Sequence, residues 1–170
     1  MDSEELMNLW LSFFLIATLL PVATGAPQLA RNPKLSAADL EAAQAETLQT
    51  GGPNAELIYA ARIDAVQKGS FDSLIVIYAK TAKLNKDYFA VILRDGQKYP
   101  LALDNQGRAL HPGDKYLRIG LKHEEGKSPI LRIMGAASDP IKGEKQRNLD
   151  FRFDGKGFVL ENQSLMPLAK

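Results

Sequence analysis

Short apolar stretches alternate with turn residues from residue 56 onward. Each stretch is rich in Val, Ile, Leu, Tyr and Phe, and clusters of Gly, Asp, Asn and Pro separate the stretches, as is typical of β-strands. No stretch with helical periodicity lies between them. We therefore expect antiparallel connections, because parallel strands need a crossover of about a dozen residues or more. The predicted strands are 57–66, 73–80, 88–94, 98–103, 116–122, 130–134, 149–153 and 158–161.

These eight strands predict a mainly β fold, either an antiparallel β-sandwich or a small β-barrel. The Asp-Gly pairs at 95–96 and 154–155 tolerate positive φ, so each predicts a hairpin. The stretches 74–78 and 88–93 are apolar throughout. We expect these two strands to be central in a sheet that is covered on both faces.

Two strands in the carboxyl-terminal half alternate between apolar and polar residues, namely 116–122 and 149–153. Alternation of this kind predicts one buried face and one solvent-exposed face. The residues expected on the buried faces are Leu117, Ile119, Leu121, Leu149, Phe151 and Phe153.

An N-terminal hydrophobic segment, residues 9–26, contains no charged side chain. Such a segment is typical of a secretory signal peptide or of a membrane anchor. The residues before it are acidic rather than basic, which is unusual for a leader. A cleaved signal peptide, with cleavage after Gly25, is favoured over an uncleaved anchor, and a buried helix is the third alternative.

One short helix is predicted between this segment and the strands. Ser36 is a candidate N-cap with Asp39 three residues later, and two glycines end the helix at residues 51–52, as in a capping box with a glycine stop. Most apolar residues of the helix are alanines, so a spacer is favoured over a partner-docking helix. The expected organisation is a signal peptide or anchor over 1–26, a linker with the helix over 27–54, and a β-rich globular domain over 55–170.

Composition excludes several classes of function. The chain has no cysteine, so disulfides, thiolate metal sites and cysteine catalysis are ruled out. With 21 Lys+Arg against 20 Asp+Glu, the net charge is +1, which supplies no field to attract nucleic acid or an anionic membrane. We expect no nucleic-acid partner, and membrane contact only through residues 9–26 if they remain uncleaved.

Chemical motifs are sparse. The chain has only two histidines, His111 and His123, and no motif that would assemble a nucleophile with a base. The aspartates in turns are expected to cap backbone amides rather than to bind calcium. The sequence therefore predicts no catalytic residue, no metal ligand and no cofactor.

Three arginines in the middle of predicted strands are the candidate ligand-binding residues. If their strands are neighbours, Arg118, Arg132 and Arg152 share a solvent-exposed face on which guanidinium groups could bind a carboxylate, sulfate or phosphate. The alternative, which we favour, is that they pair with acidic neighbours such as Asp150 and Glu161.

These features predict a non-enzymatic, exported β-domain, periplasmic or extracellular, that acts as a binding or interaction module. Its partner would be a protein or a small anionic ligand. The first alternative is a carboxylate-dependent hydrolase. That function would need two of the residues Asp87, Asp95 and Asp104 to converge in a cleft, with the pKa of one of them raised.

The second alternative is a carrier of small molecules. A carrier would need a barrel interior with a cavity lined by residues such as Ile77, Phe89 and Ile119. A fully packed core would exclude it.

Overall fold

The computed structural model describes residues 35–82, 85–139 and 143–168. The hydrophobic segment 9–26 lies outside these residues, so its predicted role is not addressed by the structure. In the described chain, no helix is long and apolar enough to cross a membrane. The elements are helix α1 (Ala37–Gly51) and strands β1 (Glu56–Ile63), β2 (Ser73–Ala82), β3 (Asn85–Arg94), β4 (Gln97–Pro100), β5 (Lys115–Lys122), β6 (Ile130–Asp139), β7 (Gly143–Phe153) and β8 (Phe158–Pro167).

The strands form two four-stranded antiparallel sheets. The first sheet has the order β1-β2-β3-β4 and the second has the order β5-β6-β7-β8, with every neighbouring pair antiparallel. In the described ranges, no strand of one sheet pairs with a strand of the other. The predicted mainly β fold is confirmed, and of its two forms the structure is consistent with the sandwich, since the sheets do not close into a barrel.

Apolar side chains from the facing sides of the two sheets form the core. Removing one large aliphatic or aromatic side chain from water contributes about 1.5–3 kcal/mol, so this layer supplies most of the driving force for folding. Leu149 and Phe151 face it, as the alternation of their strand predicts. The fully buried large residues of the layer include Ile75, Ile77, Ile92, Leu101, Leu110, Leu131, Ile133, Leu149 and Phe151.

Strands β2 and β3 are the central strands of the first sheet, which confirms the prediction from their apolar sequences. One face of this sheet packs on the second sheet. The other face carries Val76, Tyr78 and Val91, which form a second cluster with Ala43 of α1. Both faces of these strands are therefore covered.

Helix α1 begins with the predicted capping box. The Ser36 hydroxyl accepts a hydrogen bond from the Asp39 amide at 3.1 Å, and the Asp39 carboxylate accepts one from the Ser36 amide at 3.1 Å. The helix packs against β1 and β2. Its buried Ala43 has a side chain small enough to let the helix axis approach the sheet closely. The helix thus covers one face of the first sheet. This packing is not indicated by the sequence of the helix, because the helix has few large apolar residues.

Strand β5 departs from the predicted alternation near its start. The register shifts between Tyr116 and Arg118, so Leu117 is an extra residue. Leu117 is 41% exposed, whereas Tyr116, Ile119 and Leu121 pack against the core. The prediction that Leu117 faces the core is wrong, because a bulge shifts the alternation of side chains by one residue.

Both predicted Asp-Gly hairpins are present. Asp95 and Gly96 have φ angles of 50° and 72°, which is the pair of positive values that a two-residue type I′ turn requires. In the β7–β8 hairpin, Gly155 has a φ of 97°. The Asp154 carboxylate accepts hydrogen bonds from two backbone amides of that turn, at 2.8 and 2.9 Å. The turn aspartate caps local amides, as expected.

Candidate functional site

The three arginines lie on the outer face of the second sheet. On β5, Arg118 is opposite Met134 of β6. On β7, Arg152 is opposite Ile130 of β6. Both of these β6 residues are two positions from Arg132, and residues opposite each other in an antiparallel pair share a face. The register therefore places all three arginines on the face that is turned away from the first sheet.

Arg132 is held by a carboxylate on the neighbouring strand. Its Nε and Nη2 atoms donate hydrogen bonds to the two carboxylate oxygens of Asp150, at 2.6 and 2.7 Å. Asp150 is only 5% exposed. The hydrogen-bonded carboxylate of Asp150 raises the pKa of Arg132 further. The pair uses two of the five N–H donors of the guanidinium, and the carboxylate neutralises its charge, so Arg132 attracts an external anion less than an unpaired arginine does.

Arg152 bridges two carboxylates and a carbonyl group. Its Nε donates to Glu161 at 2.7 Å, its Nη2 donates to Glu124 at 2.8 Å, and its Nη1 donates to the carbonyl of Ser128. Hydrogen bonds from Lys122 and Arg152 lower the pKa of Glu124 to about 2. Each of the three Arg152 nitrogens therefore donates to a protein group, and one of these groups is the Glu161 expected from the sequence.

Arg118 is the exposed member of the three. Within the described residues, it has no hydrogen bond or ion pair. The outer face thus offers one unpaired guanidinium and two paired ones. Anion binding by all three arginines stays a prediction.

The aspartates of the hydrolase alternative lie in two places. Asp87 and Asp104 both contact Arg108, whose Nη1 and Nε atoms are 3.8 and 2.7 Å from their carboxylates. Asp95 lies in the β3–β4 turn instead. Burial opposes ionisation of Asp104, but hydrogen bonds from Arg108 and from backbone amides lower its pKa overall. A general acid at neutral pH needs a raised pKa, so Asp104 is poorly suited to that role.

The residues of the carrier alternative do not share a surface. Ile77 and Ile119 belong to the layer between the two sheets. Phe89 lies on the opposite face of the first sheet and stacks on Tyr78, with 5.5 Å between ring centroids. One cavity could not be lined by all three residues.

The two histidines lie apart and contact polar side chains. His111 Nε2 is 3.1 Å from Gln163 Oε1, and His123 Nε2 is 3.6 Å from Asp64 Oδ2. The Asp64 carboxylate also accepts a hydrogen bond from the Gly69 amide at 2.7 Å. In the part of the chain that the structure describes, no group of three His, Asp or Glu side chains could hold a metal ion.

A polar cleft of about 320 Å³ lies between α1 and the first sheet. Arg62 donates to Asp39 at 2.6 Å, and Lys98 pairs with Glu46. The buried Nε of Arg94 contacts the Asp95 carboxylate at 3.3 Å but has no hydrogen-bond partner. Because acidic and basic groups already neutralise each other here, the cleft has little charge selectivity for a ligand.

Among the described residues, β8 carries four of the seven exposed large apolar side chains, and it lies at an edge of the second sheet. β8 pairs with β7 on one side, and no strand of the described chain pairs with its other side. The strand has no Lys or Arg, and its one charged residue, Glu161, is paired with Arg152. Its exposed large apolar side chains are Val159 at 44%, Leu160 at 37%, Leu165 at 46% and Met166 at 46%.

The other three sheet edges carry more features that hinder strand addition than β8. β8 also has a bulge and ends in a proline, but it has ten residues and, unlike β1, β4 and β5, no basic side chain. β4 has four residues and ends in Pro100, and β1 has a bulge after Leu57 and contacts α1. β5 has its bulge at Leu117 and carries three basic side chains. The last strand predicted from the sequence ends at Glu161, whereas β8 continues to Pro167, so the sequence prediction did not include most of this surface. The absence of Lys and Arg from 158–168 is the signal that could have revealed it.

No family model, no curated protein and no solved structure matches this chain.

Proposed function

We propose that this chain is a non-enzymatic, exported β-domain that acts as a binding or interaction module, and that its contact surface is the free edge of β8. The observation that supports this is a ten-residue edge strand with four exposed apolar side chains and no basic residue. Such an edge accepts a further strand through backbone hydrogen bonds, while side chains add affinity. The partner is then an extended protein segment, and a small anion at Arg118 is the alternative.

A strand-addition probe tests the contact surface. A fluorescent peptide with the sequence of residues 157–168 is titrated with the chain, and its anisotropy is measured. We expect saturable binding that slows hydrogen exchange at the β8 amides and leaves the β5 amides unchanged, because β8 is the edge strand of the described chain that carries no basic side chain. The variant Leu165→Lys should lose binding, since it places a charge on that edge.

The matched control is Leu117→Lys, which introduces the same charge at a similarly exposed leucine, 41% against 46%, on the other edge strand of the same sheet. It should bind the peptide as the unmodified chain does. Equal binding by both variants, or protection that develops on β5, would contradict the proposed surface.

Export is the second part of the proposal, and it rests on the uncharged run 9–26. The intact mass of the protein in the exported fraction tests it. A mass that lacks residues 1–25 supports a cleaved signal peptide, and a full-length mass in the membrane fraction supports an anchor. Trp10 is the one tryptophan, so a cleaved protein should emit tyrosine fluorescence alone. A full-length protein in the cytosol would contradict export.

A further inference from the structure

We infer that two copies of this chain pair along β8, so that their second sheets join into one continuous eight-stranded antiparallel sheet. The inference rests on the proposed use of the β8 edge, and it names the occupant of that edge as a second copy. The reason is that β8 is complementary to itself in length, in the position of its bulge and in the direction of its side chains.

The bulge in β8 makes the strand symmetric about Gln163. Asp150 of β7 pairs with Asn162 and Phe151 pairs with Leu160, so Glu161 is an extra residue between them. We count Glu161 and Asn162 as one position of the ladder, as in a β-bulge. On one side of Gln163 lie four positions, namely the bulged pair and residues 160, 159 and 158, and on the other side lie residues 164 to 167. A two-fold axis at Gln163 would therefore pair the whole strand with its copy.

This axis matches apolar residues with apolar residues. Counting outward from Gln163, Ser164 would face the bulged pair of the second copy. The pairs that follow are Leu165 with Leu160, Met166 with Val159, and Pro167 with Phe158. All four exposed large apolar side chains of β8 would thus find an apolar partner, and the polar positions would meet at the axis.

The side chains of each proposed pair also point in the same direction. One pair, Leu160 with Leu165, points to the face of the second sheet that is turned toward the first sheet. Leu160 is opposite Phe151, which is in the core. Leu165 is two positions from Gln163, which is opposite the buried Leu149. Leu160 and Leu165 therefore point to the same face of the second sheet.

Val159 and Met166 point to the outer face by the same reasoning. They are opposite Arg152 and Gln146 of β7, which alternate with the inward-facing Leu149 and Phe151 along that strand. Each proposed pair therefore joins residues from one face. A register shifted by one residue would place inward residues opposite outward ones, so the faces exclude it. A register shifted by two residues keeps the faces but pairs Leu165 or Leu160 with Gln163, so the matching of apolar residues selects the proposed register.

Charge does not oppose this pairing. The one charged residue of β8, Glu161, is neutralised by Arg152 at 2.7 Å, and it would lie opposite Ser164 of the second copy. A single strand pair is a small interface, below the roughly 1,200 Å² that stable complexes usually bury. We therefore expect a reversible dimer whose population rises with protein concentration.

Sedimentation velocity across a concentration series tests the dimer. The sample is the protein as it is isolated from cells, either cleaved or full-length. The unmodified chain should shift from monomer to dimer. Leu165→Lys should weaken association at least about tenfold, because the substitution enters a two-fold interface twice. Leu117→Lys should associate like the unmodified chain, and circular dichroism should show both variants folded. Association that both lysine variants leave unchanged would overturn the inference, since it would come from another surface.

A single introduced cysteine tests the register, because the chain has none of its own. At the axis, the Cβ atoms of opposite residues lie about 4.5–5.5 Å apart, close to the range that a disulfide spans. Gln163→Cys should form a dimer that reducing agent dissociates, whereas Leu117→Cys under the same oxidant should stay monomeric. Equal cross-linking of both would overturn the two-fold register.

These outcomes separate the inference from the proposed function. Peptide binding at β8 by a chain that stays monomeric at its highest soluble concentration would overturn the dimer and leave the interaction module standing. Failure of both peptide binding and self-association would overturn both. A dimer that depends on Leu165 and cross-links at Gln163→Cys would support both.

Discussion

At the scale of single residues, the charged side chains that bear on function are mostly committed to partners of opposite charge. Arg132 with Asp150 and Arg152 with Glu161 are two such pairs, and both join neighbouring strands. Sequence could identify these arginines and their partners, because alternation places them on one face. It could not show the bidentate geometry at Arg132, which depends on the register of β6 against β7.

The pair between Asp39 and Arg62 should make stability depend on pH. The hydrogen bond from Arg62 is the main reason that the pKa of Asp39 is lowered to about 2. Because the folded pKa lies below the unfolded one, the contribution is complete above the unfolded pKa and is lost as pH falls from about 4 to about 2. We expect Asp39→Asn to lower the free energy of unfolding by about 1–2 kcal/mol at neutral pH.

Urea unfolding at several pH values measures this effect. The difference between Asp39→Asn and the unmodified chain should shrink as pH falls toward 2, where about half of the Asp39 carboxyl groups are protonated, and it should approach zero below that pH. A difference that stays constant down to that pH would show that Asn disturbs the helix cap rather than the ion pair.

The hydrolase alternative is tested by assaying turnover and by substituting Asp104. Its lowered pKa and its pairing with Arg108 at 2.7 Å predict no turnover on a panel of ester, glycoside and phosphoester substrates. The matched control for any activity found is Asp95→Asn, which alters an aspartate in a separate turn. Turnover that Asp104→Asn abolishes and Asp95→Asn retains would contradict the non-enzymatic proposal.

At the scale of elements, local signals predicted most of the fold. The capping box of Ser36 and the hairpins at Asp95 and Asp154 are set by residues close in sequence, so they can be recognised without the structure. The carboxyl-terminal part of β6 and the amino-terminal part of β7 were missed. These segments, 135–139 and 143–148, pair with each other, but they lack the large apolar residues on which strand prediction depends. The bulge at Leu117 was missed for a related reason, since no local residue marks it.

The stability of the chain should depend on Gly135 of strand β6, a residue for which the sequence alone predicts no special role. A Cβ atom at Gly135 would lie 3.0 Å from Leu110 Cδ2 and 3.3 Å from the carbonyl oxygen of Lys115. Because Leu110 is buried, it has little room to move. We expect Gly135→Ala to lower the free energy of unfolding by about 1–3 kcal/mol, as measured by urea unfolding.

The control for this substitution is Gly157→Ala. No atom lies within 4 Å of a Cβ at Gly157, and its φ is not among the positive values of the chain. Its effect should stay within about 0.5 kcal/mol. Equal destabilisation by both substitutions would show that the contact with Leu110 does not set the cost.

At the scale of the whole molecule, the two sheets are covered unequally. The first sheet lies between the second sheet and α1, whereas the outer face of the second sheet carries the arginine pairs and its edge carries β8. Sequence indicated the double cover of β2 and β3 from their apolar residues. It could not indicate the self-complementary edge, because the symmetry of β8 depends on a bulge that becomes visible only in the pairing with β7.

The difference in burial between the two sheets should be visible in the hydrogen-exchange rates of their backbone amides. Amides in the centre of β2 are bonded between two strands and lie among fully buried residues such as Ile75 and Val76, so they should exchange only through global unfolding. Amides that β8 donates to β7 should open through local fraying in the monomer, at least about 100-fold faster. At concentrations that favour the dimer, the β8 amides should slow while those of β2 stay unchanged. If β8 exchanges as slowly as β2 in dilute solution, its edge is not the least stable part of the sandwich, and the reason for expecting a partner there is lost.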